Sequence, residues 1–389
     1  MRGAARYGIE HELALLRDDG AVADFTTLTH GEVQAVVDEL PENPEGTTDL
    51  RVGDAGIRRK RWYAEGYERL DEDGELVRFD PKGIEIRTTV HDGVDAVLGT
   101  LTEDAATLAA AAAPHGLRPL AIGLNPVRTT YRLDPPPNAH ERALMADSPE
   151  ERTAHLHMAT YGPDVNLSFP DAGTDPAVLL DAATKLTAYS PYLVPWSFSS
   201  PFRDGRPWGG LSARTSLRTG ARPAAFAYLD PGDTLLRTDP GITRHAGLPT
   251  EIGRIEFKAF DAVAVREAED PAPEGRTAAH AADLLAALLS LLTGLLRDDT
   301  LPDRRRVPDG PAHRRSALRG WSDPAIRAGS LAVLGAAEAA LRDEPEHAPR
   351  LELLRACVHR DDTPAARMLA RYRAGGGIPG LPAPAATHR

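Results

Sequence analysis

The sequence predicts an α+β fold in which helices cover one face of an antiparallel sheet, and three segments support this prediction. Residues 7–15, 84–87 and 254–261 each alternate between apolar and charged side chains. Alternation with a period of two is typical of a strand whose two faces meet different surroundings. The charged positions on these strands are Glu10, Glu12, Glu85, Arg87, Arg254, Glu256 and Lys258. We therefore expect one sheet whose apolar face carries the helices and whose polar face lines a cleft.

Glutamates that share a strand face indicate a cation site. Glu10 and Glu12 project from the same side of the first predicted strand. Two carboxylates in a partly enclosed site cannot both stay ionised without a cation. Carboxylate oxygens suit Mg²⁺, and interleaved Arg and Lys side chains suit phosphoryl oxygens. The alternative is a solvent-facing edge strand with ordinary surface glutamates, but the repetition of the pattern on three strands favours a site.

Composition excludes several classes of partner. The chain has 389 residues and a net charge of −12, and its one dense basic run is residues 58–61. Binding to nucleic acid or to an anionic membrane needs a positive field, so neither partner is expected. The single cysteine, Cys357, cannot form an internal disulfide. Because no secretory signal is recognised and the apolar run 284–296 is too short to span a bilayer, we expect a cytoplasmic protein. The sequence leaves open whether it forms a homo-oligomer.

Periodicity and turn residues predict the remaining elements in order. Strands are expected in a meander over residues 49–89 with a hairpin turn at 71–74, over 120–124, and at the end of 155–169. Helices are expected over residues 29–40, 95–113, 176–193, 277–296, 323–341, 351–359 and 364–372, and a loop rich in Ser, Pro and Gly over 197–210. We divide the chain into a catalytic α+β part (1–270), a helical part packed on the same domain (271–374) and a flexible tail (375–389).

Three further patterns are candidates for binding sites. Residues 375–380 read G-x-G-x-x-G, but no strand precedes them and no helix follows, so they do not indicate a dinucleotide site. His155 and His157 are either a metal-binding pair or ordinary polar residues. Arg214 and Arg218 follow the glycine-containing loop and are either surface arginines or a clamp for phosphate or carboxylate groups.

Five short motifs in collinear order resemble the plant-type and actinobacterial glutamate–cysteine ligases, the second family of γ-glutamylcysteine synthetases. The motifs cover residues 7–261, and none of those we identify lies in the helical remainder. The matching segments are G-I-E-H-E (8–12), A-I-G-L-N-P (121–126), D-V-N-L-S (164–168), S-S-P-F-R-D-G-R with L-S-A-R (199–206 and 211–214), and I-E-F-K-A-F-D (255–261).

The resemblance implies a glutamine-synthetase-like α+β fold whose curved antiparallel sheet forms a funnel with helices on its outer face. It also implies an ATP- and Mg²⁺-dependent ligase that joins an amino-acid carboxylate to an amine through an acyl phosphate. The metal ligands implied are Glu10, Glu12 and Glu256, and Glu85 joins them from its strand pattern alone. Arg214 and Lys258 are the expected catalytic residues, and Arg214, Arg254 and Asn166 are the expected contacts to ATP.

Departures from the family motifs leave the substrates open. Asp164 and Ser168 replace the Gln and Asp that flank V-N-L, and Lys258 replaces an Arg. A lysine cannot make the bidentate fork that arginine makes to a carboxylate, and the extra acid at Asp164 could favour a basic amine. Two alternative functions remain: a phosphotransferase of the same fold, as in guanidino kinases, or a binding protein without catalysis.

Overall fold

The computed structural model describes residues 3–42, 60–170, 174–237, 241–247, 249–265, 279–301 and 310–381. Its strands are β1 (Arg6–Arg17), β2 (Val22–Ala23), β3 (Trp62–Leu70), β4 (Leu76–Arg87), β5 (Leu117–Leu120), β6 (Pro163–Ser168), β7 (Phe202–Arg203), β8 (Arg206–Pro207), β9 (Ala225–Leu229), β10 (Thr243–His245) and β11 (Arg254–Phe257). Its α-helices are α1 (His30–Glu39), α2 (Val94–Ala112), α3 (Ala139–Asp147), α4 (Pro149–Arg152), α5 (Ala154–His157), α6 (Pro176–Leu193), α7 (Ala213–Arg218), α8 (Ala279–Arg297), α9 (Gly310–Arg319), α10 (Pro324–Ala340), α11 (Ala348–Arg360) and α12 (Pro364–Arg373).

One large sheet forms the centre of the fold. Its main path runs β10-β9-β11-β6-β1-β4-β3, and β2 and β5 pair with β1 outside this path. The pairing is antiparallel except between β9 and β10. The sheet curls into a half-barrel, which confirms the predicted α+β fold with a curved, mainly antiparallel sheet. The three strands predicted to carry charge, β1, β4 and β11, all belong to it.

Strand β1 shows why one face of the sheet is apolar. Ile9, His11 and Leu13 are buried, whereas Glu10 and Glu12 between them are partly exposed. Beyond Leu13 the alternation ends because β1 there also pairs with β5 and β2, so that residues 14–16 are all buried. Alternation is therefore confined to the half of β1 that borders the cleft.

Helices cover the apolar face of the sheet. Helix α2 packs against β1, β4 and β5, helix α6 packs against β9 and β11, and α8 lies against α2, α6, α10 and α11. One continuous hydrophobic core contains residues of the sheet, such as Ile9, together with residues of α8, α10 and α11, such as Leu292, Leu334 and Leu354. The C-terminal helices therefore belong to the same core as the sheet. Among the described residues, no helix combines the length and the apolar composition needed to cross a membrane.

Most predicted helices begin at capping residues visible in the sequence. Thr29 and Glu32 form a capping box at α1, and Asp175 caps α6, whose first residue is Pro176. Such caps satisfy backbone N–H groups that the first helical turn leaves without partners. The predicted helices 29–40, 95–113, 176–193, 323–341, 351–359 and 364–372 match observed helices to within three residues at each end.

Several predicted elements need correction. The strand predicted at 120–124 lies earlier, at β5, because residues 117–120 are the ones that pair with β1. Helices α3 and α9 and the short helices α4, α5 and α7 are absent from the prediction. Within the predicted flexible tail, residues 375–377 are exposed, but residues 378–381 are packed, since the carbonyl of Gly380 accepts a hydrogen bond from the Val22 N–H and Ile378 is buried. Residues 49–59 of the predicted meander, residues 277 and 278 of the predicted helix, and residues 382–389 of the predicted tail lie outside the described residues.

Candidate active site

The concave, polar face of the sheet encloses a cavity of about 310 Å³. Strands β1, β3, β4 and β6 form its floor, α3–α5 border one side, and α7 with Lys258 borders the other. Its charged lining residues are Glu10, Glu12, Glu65, Glu68, Glu85, Glu141, Glu151, His157, Asp164, Arg214, Arg218, Arg222 and Lys258. The prediction that distant strands bring carboxylates into one cleft is therefore borne out for Glu10, Glu12 and Glu85.

Three carboxylates converge on the floor of the cavity. Glu10 of β1, Glu85 of β4 and Asp164 of β6 each offer an oxygen, and these oxygens all lie within 4.8 Å of one another. Strand register explains the convergence, because Glu10 and Asp164 are cross-strand partners and Glu85 lies on the neighbouring strand opposite Glu12. We call these residues the three-carboxylate cluster.

The electrostatics of this cluster fit a divalent cation. Burial, followed by the charges of nearby carboxylates, raises the pKa of Glu85 well above its usual value. Burial also raises the pKa of Asp164 to about 7, although the Lys258 ammonium opposes the shift. Oxygen ligands are the donors that Mg²⁺ prefers, and a divalent ion would offset the mutual repulsion of the carboxylates. The donor set therefore suits Mg²⁺.

A second cluster surrounds Glu12, the other glutamate of β1. Glu12, Glu65 of β3 and His157 of α5 also bring ligand atoms within 4.8 Å of one another. The Nζ of Lys82, however, lies 2.6 Å from Glu12 Oε1, and His157 Nε2 lies 2.9 Å from Glu65 Oε1. Burial alone would raise the pKa of Glu12, but the adjacent Lys82 ammonium lowers it to about 2. Burial and the charge of Lys82 lower the pKa of His157 well below its usual value, so its imidazole is neutral. We call Glu12, Glu65 and His157 the histidine cluster.

Glu256, predicted as a metal ligand, lies beside the cavity and already has partners. It accepts a hydrogen bond of 2.7 Å from the hydroxyl of Tyr228, and Lys258 Nζ lies 3.3 Å from Glu256 Oε1. Lys258 also contacts Asp164 directly. Burial would raise the pKa of Glu256, but Lys258 and Arg254 lower it to about 2. Lys258 thus links Glu256 to the three-carboxylate cluster.

Arg214 lines the cavity but is held by backbone groups. Its side chain is buried, and it donates hydrogen bonds to the carbonyls of Ala259 (3.0 Å) and Lys258 (3.1 Å). Its guanidinium also lies 4.0 Å from a carboxylate oxygen of Asp261. A Cβ at Gly162 would lie 2.5 Å from Arg214 Nη2, so glycine is needed there for the guanidinium to reach this position. Arg214 therefore fixes the chain segment that carries Lys258.

Arg254 and Asn166, the other predicted ATP contacts, contact each other. Arg254 Nη1 donates to Asn166 Oδ1 at 2.6 Å and lies 4.0 Å from Glu10 Oε1. The Arg254 guanidinium also lies over the ring of Tyr228, 3.7 Å from its centroid. Both residues lie at the edge of the polar face rather than in the cavity lining, next to Glu10.

The sequence did not identify Glu65 or Lys82 as site residues, and it left open whether His157 binds a metal. His155 is exposed, so the predicted histidine pair does not form, whereas His157 reaches the cavity. Glu65 lies in β3 and Lys82 in β4, within the region predicted as a meander. The alternation of β4, which places Lys82, Ile84 and Ile86 two residues apart, gives no indication that a lysine turns toward the acids.

Comparisons with known proteins agree with this geometry. Residues 6–231 match the family model for glutamate–cysteine ligase family 2. No curated protein matches the chain.

Solved structures with 11–14% sequence identity share the fold. A bifunctional glutathione synthetase from Pasteurella multocida has a TM-score of 0.59 at 14% identity, with 97% of this chain and 51% of that chain covered. A glutamate–cysteine ligase from Francisella tularensis, in complex with AMP, has a TM-score of 0.52 at 12% identity, with coverages of 96% and 86%. The ligase PafA in complex with the ubiquitin-like protein Pup has a TM-score of 0.54 at 11% identity, with coverages of 96% and 71%.

This chain thus spans about half the length of the P. multocida protein. The family model covers more than half of this chain and includes β1, β4 and β6, which supply the three-carboxylate cluster. The chain belongs to glutamate–cysteine ligase family 2, a ligase family.

Proposed function

We propose that the protein is an ATP- and Mg²⁺-dependent ligase that forms an amide bond between an amino-acid carboxylate and an amine. The observation that carries this proposal is the convergence of Glu10, Glu85 and Asp164 in one cavity, with Lys258 in contact with Asp164. Family membership supports the ligase class, and the AMP bound to the F. tularensis ligase supports an adenine nucleotide as the energy source.

The proposed reaction has two steps. The substrate carboxylate attacks the γ-phosphorus of ATP, ADP leaves, and an acyl phosphate forms. The amine then attacks the acyl carbon, the C–O bond to phosphate breaks, and inorganic phosphate and the amide are released. Phosphoryl transfer asks a protein mainly for positioning and positive charge, and holding the amine beside the acyl phosphate makes its attack effectively intramolecular.

Each group in the cleft then has a defined task. Glu10, Glu85 and Asp164 would hold Mg²⁺, which would supply positive charge to neutralise phosphoryl oxygens. Lys258 supplies a further positive charge beside this position, and Arg214 keeps Lys258 in place through its hydrogen bond to the Lys258 carbonyl. Arg254, with Asn166, places positive charge 4.0 Å from Glu10 at the edge of the site.

Two observations decide which substrates should be tested. One is the family, and the other is the set of positions at which this chain differs from the family motifs. Glutamate and cysteine are the first pair to test because the family is named for them. Lys258 in contact with Asp164 takes the place of the arginine in the family motif, and a lysine binds a carboxylate as a point charge rather than as a fork. We therefore extend the test to other amino-acid donors and to amines without a carboxylate.

The test is an assay of ADP, inorganic phosphate and amide across a matrix of amino acids and amines in the presence of Mg²⁺. We expect equal amounts of all three products with at least one pair, and none in the variant Glu85→Gln. The variant Glu75→Gln, at an exposed position of the hairpin that precedes β4, serves as the matched control and should retain activity. A phosphotransferase would release ADP without inorganic phosphate, and absence of ADP together with absence of nucleotide binding would contradict the proposal.

A further inference from the structure

Lys82 is a fully buried lysine whose Nζ lies beside the histidine cluster. Its side chain has no exposed surface. Burying an ammonium group costs several kcal/mol unless hydrogen bonds and opposite charges compensate. The groups that surround the Nζ atom of Lys82 must therefore supply this compensation.

Those groups are the ones that would surround a metal ion in the histidine cluster. The Nζ atom lies 2.6 Å from Glu12 Oε1, 3.0 Å from the Thr160 carbonyl oxygen and 3.1 Å from the His157 carbonyl oxygen. It also lies 3.4 Å from His157 Nδ1 and 3.9 Å from Glu65 Oε1. An ammonium has three N–H donors, and three oxygens lie within hydrogen-bond distance of it.

Backbone packing brings Lys82 to this place. A Cβ at Gly83 would lie 2.1 Å from the Leu13 carbonyl oxygen, so only glycine lets β4 approach β1 this closely. Leu13 pairs with Ile84, and Glu12 pairs with Glu85. The pairing of β4 with β3 also shifts register at this point, since Gly83 is opposite Glu65 and Pro81 is opposite Gly66, so the alternation of β4 is interrupted at Lys82.

We propose that the ammonium of Lys82 is a built-in cation of the histidine cluster, so that this cluster binds no divalent metal. Divalent ions in the cleft are then confined to the three-carboxylate cluster. The second statement rests on the proposed function, whereas the first rests only on the contacts of Lys82. The contacts support this assignment, because the Lys82 ammonium touches Glu12 and two backbone carbonyls inside the histidine cluster, whereas Lys258 reaches the three-carboxylate cluster only at Asp164 and also contacts Glu256 outside it.

The proposal also explains how two acidic clusters can lie side by side. Glu12 and Glu85 face each other across β1 and β4, and two divalent ions at adjacent strand positions would repel each other. Because Lys82 supplies the positive charge of the histidine cluster, only the three-carboxylate cluster is left to bind a divalent ion for the substrate phosphates. Lys82 is thus a positioning residue that orients Glu12 and sets the number of metal ions.

The test is a titration of the nucleotide-free protein with Mn²⁺, followed by the electron paramagnetic resonance signal of free Mn²⁺. Wild type and Glu65→Gln should bind the same number of Mn²⁺ ions, because Glu65 belongs to a cluster that takes none. Lys82→Met should bind one additional ion, and the double variant Lys82→Met/His157→Ala should lose it again. Lys60→Met, a lysine whose Nζ contacts only carbonyls of α1 and lies outside the cleft, is the matched control and should bind as wild type does.

The possible outcomes separate the two proposals. Loss of one Mn²⁺ in Glu65→Gln would overturn the assignment of Lys82, and this variant keeps the lysine, so the result does not depend on whether Lys82→Met folds. An unchanged number of ions in a folded Lys82→Met protein would overturn it as well. Unchanged Mn²⁺ binding in Glu85→Gln would instead contradict the metal site of the proposed function and leave the assignment of Lys82 standing.

Discussion

Glu12 of β1 and Glu85 of β4 are direct cross-strand partners on the concave face of the sheet. Like charges in such positions destabilise a sheet, and the protein treats the two carboxyls differently. Lys82 lowers the pKa of Glu12 to about 2 against the effect of burial, whereas burial and the surrounding acids raise the pKa of Glu85. The charge of Glu12 is compensated by Lys82, whereas under the proposed function a bound cation would compensate Glu85.

Glu85→Gln should stabilise the metal-free protein. The change removes a carboxyl whose ionised form is disfavoured by burial and by the surrounding acids, while keeping the shape of the side chain. We expect the free energy of unfolding to rise by about 1 kcal/mol, since like-charge pairs of this kind cost up to about that much. Thermal unfolding in a chelator compares the variant with wild type, and Glu75→Gln should leave the midpoint unchanged. A lower midpoint for Glu85→Gln would show that Glu85 is already compensated.

Glu256→Gln should have the opposite effect on stability. Glu256 accepts the Tyr228 hydroxyl and contacts Lys258, and Lys258 and Arg254 favour its ionised form despite burial. Neutralising it leaves the two cations with fewer counter-charges, so we expect the free energy of unfolding to fall by about 2 kcal/mol. Urea unfolding in a chelator measures the change. A stability equal to wild type would mean that Glu256 is not the carboxylate that balances Lys258.

Lys258→Met should lower kcat by about 100-fold or more. The side chain carries positive charge next to the three-carboxylate cluster, and removing one such group from a transferring phosphoryl centre typically costs that much. Steady-state release of ADP with the substrate pair found in the product assay measures it. Lys258→Arg should recover part of the rate because it restores the charge, and Lys60→Met should turn over at the wild-type rate. A kcat within twofold of wild type for Lys258→Met would remove Lys258 from the chemistry.

The Arg69–Glu141 ion pair should make stability depend on acid pH. Arg69 Nε lies 2.7 Å from Glu141 Oε1, both side chains are buried, and the hydrogen bond from Arg69 lowers the pKa of Glu141 to about 2. A depressed pKa gives stability that is present above the unfolded-state pKa of about 4.3 and is lost as pH falls toward 2. A shift of this size corresponds to about 3 kcal/mol at pH 7.

The variant Glu141→Gln isolates this contribution. We expect wild type to exceed it in the free energy of unfolding by about 3 kcal/mol at pH 7, and the difference should shrink steadily between pH 4.3 and pH 2. Chemical denaturation at a series of pH values gives the comparison. A difference that stays constant over this range would show that the pair stabilises the fold through shape rather than through charge.

Local patterns in the sequence were sufficient for much of the fold. Alternation predicts that Glu10, Glu12 and Glu85 lie on the polar face of the sheet. It shows which face of a strand is buried even when the neighbouring strand is unknown. Helix α6 was predicted with its observed bounds because Asp175 and Pro176 mark its start. The strand predicted at 120–124 failed because its apolar residues are buried by packing, while hydrogen bonding to β1 selects residues 117–120.

The parts of the site that could not be predicted depend on how distant segments meet. Lys82 contacts Glu12 where Gly83 lets β4 approach β1 and where the pairing of β3 with β4 shifts register, and β3 also carries Glu65 to His157. Glu85 and Glu256 were both predicted to be metal ligands. Their surroundings differ, since Tyr228 and Lys258 contact Glu256 while Glu85 lies among other acids.

Calorimetric titration with a non-hydrolysable ATP analogue tests the central claim most directly, because it needs no knowledge of the amino-acid substrates. The claim is that Glu10, Glu85 and Asp164 together form the Mg²⁺ position that anchors the nucleotide phosphates. We expect the analogue to bind wild type in Mg²⁺ at least tenfold more tightly than in a chelator, with the Mg²⁺ dependence lost in Glu85→Gln and kept in Glu75→Gln. Equal binding with and without Mg²⁺, or no binding of the analogue at all, would contradict the claim.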